Sequence, residues 1–137
     1  MPNVYMTDYT YAHLDHETAI LAPLGYTVIG RQCKTAAEVV AQCGDAVALL
    51  NQYAPLTREV FANLPNLKMI VRYGVGYDSV DVQAATDHGV MVVNVPDYGV
   101  QEVADHTLAL LLALVRKVPA VVNDVQAGNW NDNTFHP

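Results

Sequence analysis

The sequence predicts an α/β protein with an open, parallel, five-stranded sheet covered by helices on both faces. Five short apolar runs start roughly 20–23 residues apart: Val4–Tyr9, Tyr26–Ile29, Ala46–Leu50, Lys68–Arg72 and Met91–Asn94. Segments with helical spacing lie between them, and strands that alternate with helices at this interval are typical of a parallel sheet. The runs are continuous rather than alternating, as expected for strands that are buried on both faces.

Several helix ends can be placed from their capping residues. Thr35 and Glu38 predict a capping box at the start of a helix that stops before Gly44. Thr57 is expected to open a short helix, and Ser79 to cap a further helix that runs to about His88.

The longest predicted helix runs from about Val100 to Lys117, and the α/β domain is expected to end with it. From Leu108 onward this helix is apolar on nearly every side, so most of it should be buried. Pro119 ends it and suits the first turn of another short helix. We therefore expect a domain over residues 1–118, followed over 119–137 by a short helix and a polar linker.

Composition and charge exclude several classes of protein. The 137 residues carry a formal net charge of −7, so a basic nucleic-acid-binding face is not expected, and neither is binding to an anionic membrane. No signal sequence or apolar stretch of bilayer length is visible. Cys33 and Cys43 are expected to be free thiols, and a cytoplasmic location fits this use of cysteine.

The stretch VRYGVGYDSVDV at residues 71–82 carries the main candidate site. A dinucleotide cradle needs glycines at the first, third and sixth positions and an acid at the end of the next strand. Gly74 and Gly76 fit, but the sixth position is Ser79 and the next strand ends in Asn94. A pyrophosphate site is therefore not expected here.

A smaller anion fits this stretch better than a dinucleotide. Both glycines permit a positive φ, and the loop follows a parallel strand at the end where α/β proteins bind ligands. The positive end of the next helix should face the loop, so free amides of Val75, Gly76 and Tyr77 would suit a carboxylate. From the loop alone, a tight turn without a ligand is equally compatible.

Residues 67–118 resemble a known family. They contain an R-x-G-x-G-x-D-x-x-D loop, the N-V-P segment Asn94–Pro96 and an E-V-A-D-H-T opening of the long helix. In these motifs the chain resembles the N-terminal half of the D-isomer-specific 2-hydroxyacid dehydrogenases, with most likeness to the phosphoglycerate-dehydrogenase and C-terminal-binding-protein-like branches. Residues 1–66 agree with the family only in their strand–helix rhythm.

The resemblance implies a flavodoxin-like substrate-binding domain that works beside a separate NAD-binding domain, with the active site between them. It implies that the amides of Val75 and Gly76 bind the carboxylate of a 2-keto or 2-hydroxy acid, and that Thr107 approaches the nicotinamide side of NAD. A helix-interior threonine bonded to its own backbone is the alternative for Thr107. Asn51, Gln52 and Tyr53 follow the third strand and could line the substrate pocket, and a solvated loop is the equally compatible alternative. Tyr98, which follows the N-V-P segment, is a further candidate.

The family's catalytic Arg, acid and His belong to the NAD-binding domain, so no catalytic residue is assigned in this chain. We expect the substrate-binding part of an NAD-dependent D-2-hydroxyacid dehydrogenase, inactive alone and homodimeric as the full-length enzyme. An NAD(H)-sensing transcriptional co-regulator of the same architecture is the alternative. A stand-alone flavodoxin-like receiver or binding module is a third possibility. A receiver is disfavoured because it needs an acidic cluster near the end of the first strand, where Asp8 stands without an adjacent acid.

The remaining polar residues are expected to be structural. His13 and His16 could share a metal ion, but no third ligand has suitable spacing, so no metal site is predicted. His106 lies beside Asp105 and is also taken as structural. Asp78 and Asp81 should brace the turn and the start of the following helix.

Overall fold

The computed structural model describes residues 1–130. Its single sheet has five parallel strands in the order β2-β1-β3-β4-β5, which confirms the predicted α/β fold. The strands are β1 (Asn3–Met6), β2 (Thr27–Gly30), β3 (Ala46–Asn51), β4 (Met69–Arg72) and β5 (Met91–Val93). All five lie within or close to the predicted apolar runs.

In the described part of the chain, six α-helices connect or follow the strands: α1 (Asp15–Leu21), α2 (Ala36–Gln42), α3 (Arg58–Asn63), α4 (Val82–Asp87), α5 (Val100–Val115) and α6 (Val118–Gln126). A short 3-10 turn, Ala22–Leu24, extends α1. The first four helices are each six or seven residues long. Short crossover helices of this kind return the chain to the start of the next parallel strand.

Both faces of the sheet carry apolar clusters, as the continuous runs predict. Because successive side chains of a strand point to opposite faces, Tyr5 joins one cluster while Val4 and Met6 join the other. The first cluster is the larger and includes buried residues of α2, α3 and α4. On the second face, where Leu21 of α1 packs, an apolar cavity of about 420 Å³ remains.

The capping box of α2 is present as predicted. Thr35 Oγ1 accepts a hydrogen bond from the Glu38 amide at 3.2 Å, and the Glu38 carboxylate accepts the amides of Lys34 at 2.6 Å and Thr35 at 3.1 Å. These bonds favour the charged carboxylate and lower the pKa of Glu38, the Lys34 amide contributing most. Thr57 also occupies the N-cap position of α3, but its side chain makes no capping bond.

The expected start of α4 is wrong. The helix begins at Val82 with Asp81 as its N-cap, and the Asp81 carboxylate accepts the Ala84 amide at 2.8 Å. Ser79 cannot cap it because the segment around Val80 pairs with Leu56: the Leu56 amide donates to Ser79 O and the Asp81 amide donates to Leu56 O. The start of α4 is therefore shifted toward the C-terminus by a tertiary contact, the bridge between Leu56 and Val80, which sequence periodicity does not reveal.

The chain divides into two compact units, Met1–Pro96 and a second unit that starts at Asp97. The expected burial of the long helix is wrong, since no residue of α5 is buried and Leu114 is 75% exposed. Within the second unit α5 contacts α6. Because α6 has only nine residues and α5 has sixteen, α6 covers only part of the broad apolar surface of α5. α5 ends at Val115, and Lys117, whose φ is 53°, is the N-cap of α6. Pro119 lies in the first turn of α6, as predicted.

Two further expectations concern the cysteines and the C-terminal tail. Cys33 and Cys43 are free, as predicted, and both are buried. Burial raises the pKa of the Cys43 thiol to about 12. The polar linker expected over the last residues lies, beyond residue 130, outside the described residues. None of the described helices has the length and apolarity that a membrane crossing requires.

The two threonine N-caps provide a matched pair for testing the capping bond. Thr35→Ala should lower the free energy of unfolding by about 1 kcal/mol, because the Glu38 amide loses its acceptor. Thr57→Ala, at an N-cap without a side-chain bond, should change it by less than about 0.5 kcal/mol. Urea unfolding followed by circular dichroism measures both, and equal losses in the two variants would show that the capping bond of α2 contributes nothing.

Candidate functional site: a loop with outward-facing amides

The loop after β4 is held by two of its carbonyl groups. Gly74 O accepts the Val95 amide at 3.1 Å, and Val75 O accepts Asn94 Nδ2 at 2.8 Å. Both donors belong to the segment that follows β5, the neighbouring strand. One edge of the loop is therefore tied to the protein through its acceptors.

The same bonds determine where the amides of the loop point. No peptide bond in the described chain is cis, and in a trans peptide the N–H is directed opposite to the C=O. The amides of Val75 and Gly76, which share peptide units with the bonded carbonyls, therefore face away from Asn94 and Val95. We call residues 75–77 the amide loop: among residues 1–130 no acceptor bonds the amides of Val75, Gly76 or Tyr77.

A cation lies beside the amide loop. Gly74 has a φ of +155°, and the position that a β-carbon would take there is occupied by the Arg72 guanidinium. Arg72 Nη1 donates to Tyr73 O at 3.1 Å, whereas its Nε is buried and has no partner among the described residues. Gly76 does not have a positive φ, so only the first of the two glycines is required by its backbone conformation.

Tyr53 also lies near this cation. The Arg72 guanidinium carbon is 6.0 Å from the centre of the Tyr53 ring, which is within the range of a cation–π contact. Tyr53 is 65% exposed and also lines a cleft of about 320 Å³ at the carboxyl ends of β1 and β3. The structure thus brings Tyr53, Arg72 and the residue that opens the amide loop, Gly74, together within the first unit.

Tyr73 anchors the chain just before the loop. Its hydroxyl donates to Glu17 Oε1 at 3.2 Å, and the Tyr11 hydroxyl donates to the same oxygen at 3.2 Å. Burial and the Glu17 charge raise the pKa of Tyr73 well above its usual range and that of Tyr11 to about 12. Both phenols are therefore neutral donors at pH 7 and do not act as bases.

Two predicted site residues belong to the second unit. Tyr98 is 71% exposed there. Thr107 lies within α5, and its hydroxyl donates to Val103 O at 2.7 Å, the intrahelical bond of the alternative interpretation. The roles expected of Tyr98 and Thr107 in ligand binding stay predictions.

The expected contribution of a helix dipole to the site needs correction. The positive end of α4 should have faced the amide loop, but α4 starts at Val82, five residues after Tyr77, and has only six residues. Its first turn is already capped by Asp81. Any anion at the amide loop would therefore interact with the loop amides and with Arg72, while the Asp78 carboxylate, which lies beside Gly76, opposes it.

The loop does not form a dinucleotide site. Ser79 stands where the third glycine is required, and its carbonyl is paired with the Leu56 amide. Asn94 stands where the ribose-binding acid is required, and its amide group is bonded to Val75 O. The residues of the first unit at this loop thus do not fit NAD, and we derive no step through it.

The other titratable residues of the described chain form no further site. Within residues 1–130, no group of three or more His, Cys, Asp or Glu side chains is placed to hold a metal ion. His13 pairs with the exposed Asp15 at 3.1 Å. The carboxylate of Asp8, the lone acid at the end of the first strand, is bonded to the backbone amides of Gln52, Tyr53 and Ala54.

Three residues of the site were missed in the sequence. Arg72 and Asn94 stand inside the quoted motifs, but their types alone do not say that one lies against Gly74 and the other holds Val75 O. Asp8 was considered only as a lone acid that argues against a receiver. The usable signal for all three is their shared position at the carboxyl ends of β4, β5 and β1, where the polar groups of a parallel sheet converge.

The family model described as D-isomer specific 2-hydroxyacid dehydrogenase, catalytic domain, matches residues 8–134 of this chain. The chain therefore belongs to that family.

Curated relatives agree with this assignment. The chain is 42% identical over 99 residues to a D-3-phosphoglycerate dehydrogenase of Mycobacterium tuberculosis, and the aligned region covers 72% of this chain and 19% of the relative. It is 42% identical over 84 residues to a glyoxylate reductase of Pyrococcus furiosus, and the aligned region covers 60% of this chain and 25% of the relative. The chain thus spans about a fifth to a quarter of the length of these relatives.

Solved structures share the fold. The D-lactate dehydrogenase from Aquifex aeolicus, solved with NAD and lactic acid, superposes with a TM-score of 0.80 at 25% identity, over 95% of this chain and 39% of that one. An acyclic imino acid reductase superposes with a TM-score of 0.85 at 24% identity, over 99% of this chain and 44% of that one. The first of these confirms the predicted fold class in an NAD-bound dehydrogenase.

Gly74 and Gly76 provide a matched test of the loop conformation. Gly74→Ala should lower the free energy of unfolding by about 1–3 kcal/mol, because its φ is unfavourable for alanine and the new methyl group displaces the Arg72 guanidinium. Gly76→Ala places its methyl 3.3 Å from Asp78 Oδ2 without a positive φ, so it should cost clearly less. Chemical denaturation distinguishes the two, and a larger loss for Gly76→Ala would contradict the loop geometry.

Proposed function

We propose that this chain is the substrate-binding part of an NAD-dependent D-2-hydroxyacid dehydrogenase, which interconverts a 2-keto acid and a D-2-hydroxy acid. The amide loop binds the carboxylate of that acid, and NAD is bound mainly by another domain. The observation that carries the proposal is the pair of amides, Val75 and Gly76, turned outward because their peptide carbonyls are held from the other side. Membership in the dehydrogenase family supports the reaction class.

The chemistry of the loop suits a single carboxylate. A carboxylate has two oxygens and accepts hydrogen bonds only, so it can receive two adjacent amides at once. Arg72 supplies a positive charge next to them, and bonds between charged groups and amides are stronger than neutral ones. Tyr53, packed against Arg72, forms one wall of the site and limits how the rest of the acid can lie.

The division of labour follows from what the reaction needs. Reduction of a 2-keto acid requires a hydride donor, a group that polarises the carbonyl and a proton donor with a pKa near neutrality. We assign none of these three roles to a residue of this chain. Residues 1–118 are proposed as the substrate-binding domain, and residues 119–137 as the start of the connection to the NAD-binding domain.

Other expectations about the full-length protein stay proposals. Thr107 is proposed to approach the cofactor and Tyr98 the substrate, and the enzyme is proposed to be a homodimer. No observation in the structure favours the NAD(H)-sensing co-regulator over the dehydrogenase, and both would use the same amide loop.

A titration of the ¹⁵N-labelled chain with glyoxylate tests the carboxylate site. The largest amide shifts should fall on Val75, Gly76 and Tyr77. Arg72→Gln should raise the dissociation constant about tenfold, since a charge-assisted contact in a half-buried site contributes on the order of 1.4 kcal/mol. Arg31→Gln is the matched control, because Arg31 also lies over a tyrosine ring, that of Tyr5 at 5.3 Å, but away from the loop. Its dissociation constant should not change.

Two outcomes would contradict the proposal. One is glyoxylate binding with no shift in the amide loop. The other is equal weakening by Arg72→Gln and Arg31→Gln, which would indicate non-specific charge attraction. D-3-phosphoglycerate, titrated in parallel, reports whether a larger 2-hydroxy acid uses the same amides.

A further inference from the structure

Asp8 holds the turn that carries Tyr53. Asp8 is 8% exposed, and its two carboxylate oxygens accept three consecutive backbone amides. Oδ1 accepts Gln52 at 3.2 Å and Ala54 at 3.0 Å, and Oδ2 accepts Tyr53 at 2.7 Å. The charged side chain thus replaces the acceptors that a regular strand or helix would give to residues 52–54.

A second layer of bonds orients the carboxylate. Thr7 Oγ1 donates to Asp8 Oδ1 at 2.8 Å and accepts Asn51 Nδ2 at 3.0 Å, and the same Asn51 group also donates to Ala54 O at 2.9 Å. Thr7 and Asn51 are completely buried. The carboxyl ends of β1 and β3 are therefore locked together through side chains as well as through the sheet.

We propose that Asp8 is a positioning residue for substrate binding: by fixing residues 52–54 it holds Tyr53 against Arg72 and thereby shapes the site beside the amide loop. The inference deepens the proposed function and rests on it for the identity of the ligand. Tyr53 needs such support because its side chain is largely exposed, and burial does not hold it in place. Asp8 also lines the same cleft as Tyr53 and Ala54, so the network reaches the surface beside Tyr53.

Asp8→Asn is a sharp test because neither orientation of an asparagine amide replaces the carboxylate. Both oxygens of Asp8 accept backbone N–H groups, so the NH₂ group of asparagine must face at least one donor. Glu59→Gln, which makes the same chemical change at an exposed site on α3, is the charge control. Val39→Ala, which truncates a fully buried side chain of α2, is the control for lost stability alone.

Three measurements on the 137-residue protein separate positioning from stability. They are hydrogen exchange of the Tyr53 and Ala54 amides, nuclear Overhauser contacts between the Tyr53 ring and the Arg72 side chain, and the dissociation constant of glyoxylate. In Asp8→Asn we expect faster exchange, loss of the ring contacts and binding weakened about five- to tenfold, in line with a lost hydrogen-bond network. Glu59→Gln and Val39→Ala should leave the ring contacts and the binding unchanged.

Tyr53→Ala completes the test, since an exposed ring can be removed without unfolding the protein. It should weaken glyoxylate binding about as much as Asp8→Asn does. The double variant with both changes should bind glyoxylate no more weakly than either single variant, because both changes remove the same interaction. Should Asp8→Asn fail to fold, Thr7→Val replaces it, because this change removes only the hydroxyl that orients the carboxylate.

The outcomes are distinguishable. Three results would overturn the inference. The first is that Asp8→Asn, or Thr7→Val in its place, keeps the contacts between the Tyr53 ring and Arg72, and the second is that Val39→Ala loses them and weakens binding as Asp8→Asn does. The third is that Tyr53→Ala binds glyoxylate like the unmodified protein. A protein that does not bind glyoxylate at all contradicts the proposed function instead. In that case the exchange rates and ring contacts, measured without ligand, still decide whether Asp8 positions Tyr53.

Discussion

The carbonyl groups of Gly74 and Val75 are both bonded to the segment that follows β5, and this pair of bonds determines the chemistry of the neighbouring loop. Because a trans peptide has its N–H opposite its C=O, holding two acceptors on one side presents two donors on the other. The donors need no helix dipole behind them. They need β4 and β5 to be adjacent and parallel, so that the end of one strand can bind the loop after the other.

The neighbouring turn is held in the opposite way, because a side chain bonds its amides rather than its carbonyl groups. After β3 the chain leaves the sheet in a turn, and the amides of that turn are bonded by Asp8 from the end of β1. A carboxylate that is almost fully buried is stable only where it is paired or bonded, and here three amides and a hydroxyl satisfy it. Arg72, at the end of β4, lies between the two loops and contacts both Tyr53 and Gly74.

The second unit differs from the first in that its helices have no buried apolar residues. Its two helices expose many apolar side chains, among them Leu108, Leu110, Leu112 and Leu114 of α5. Exposed apolar patches of this kind usually mark a surface that binds another protein or domain.

Local sequence determined the strands, the α2 capping box and the end of α5 near Pro119, because apolar runs, capping side chains and proline act within a few residues. Motifs over residues 67–118 also identified the family. Tertiary structure alone decided that α4 starts at Val82, because the pairing of Leu56 with the segment around Val80 joins residues far apart in sequence. It likewise decided that Asp8 bonds the turn that carries Tyr53 and that Arg72 lies against Gly74. Each of these depends on which strand ends or helices meet in space, and the periodicity of a single sequence does not carry that information.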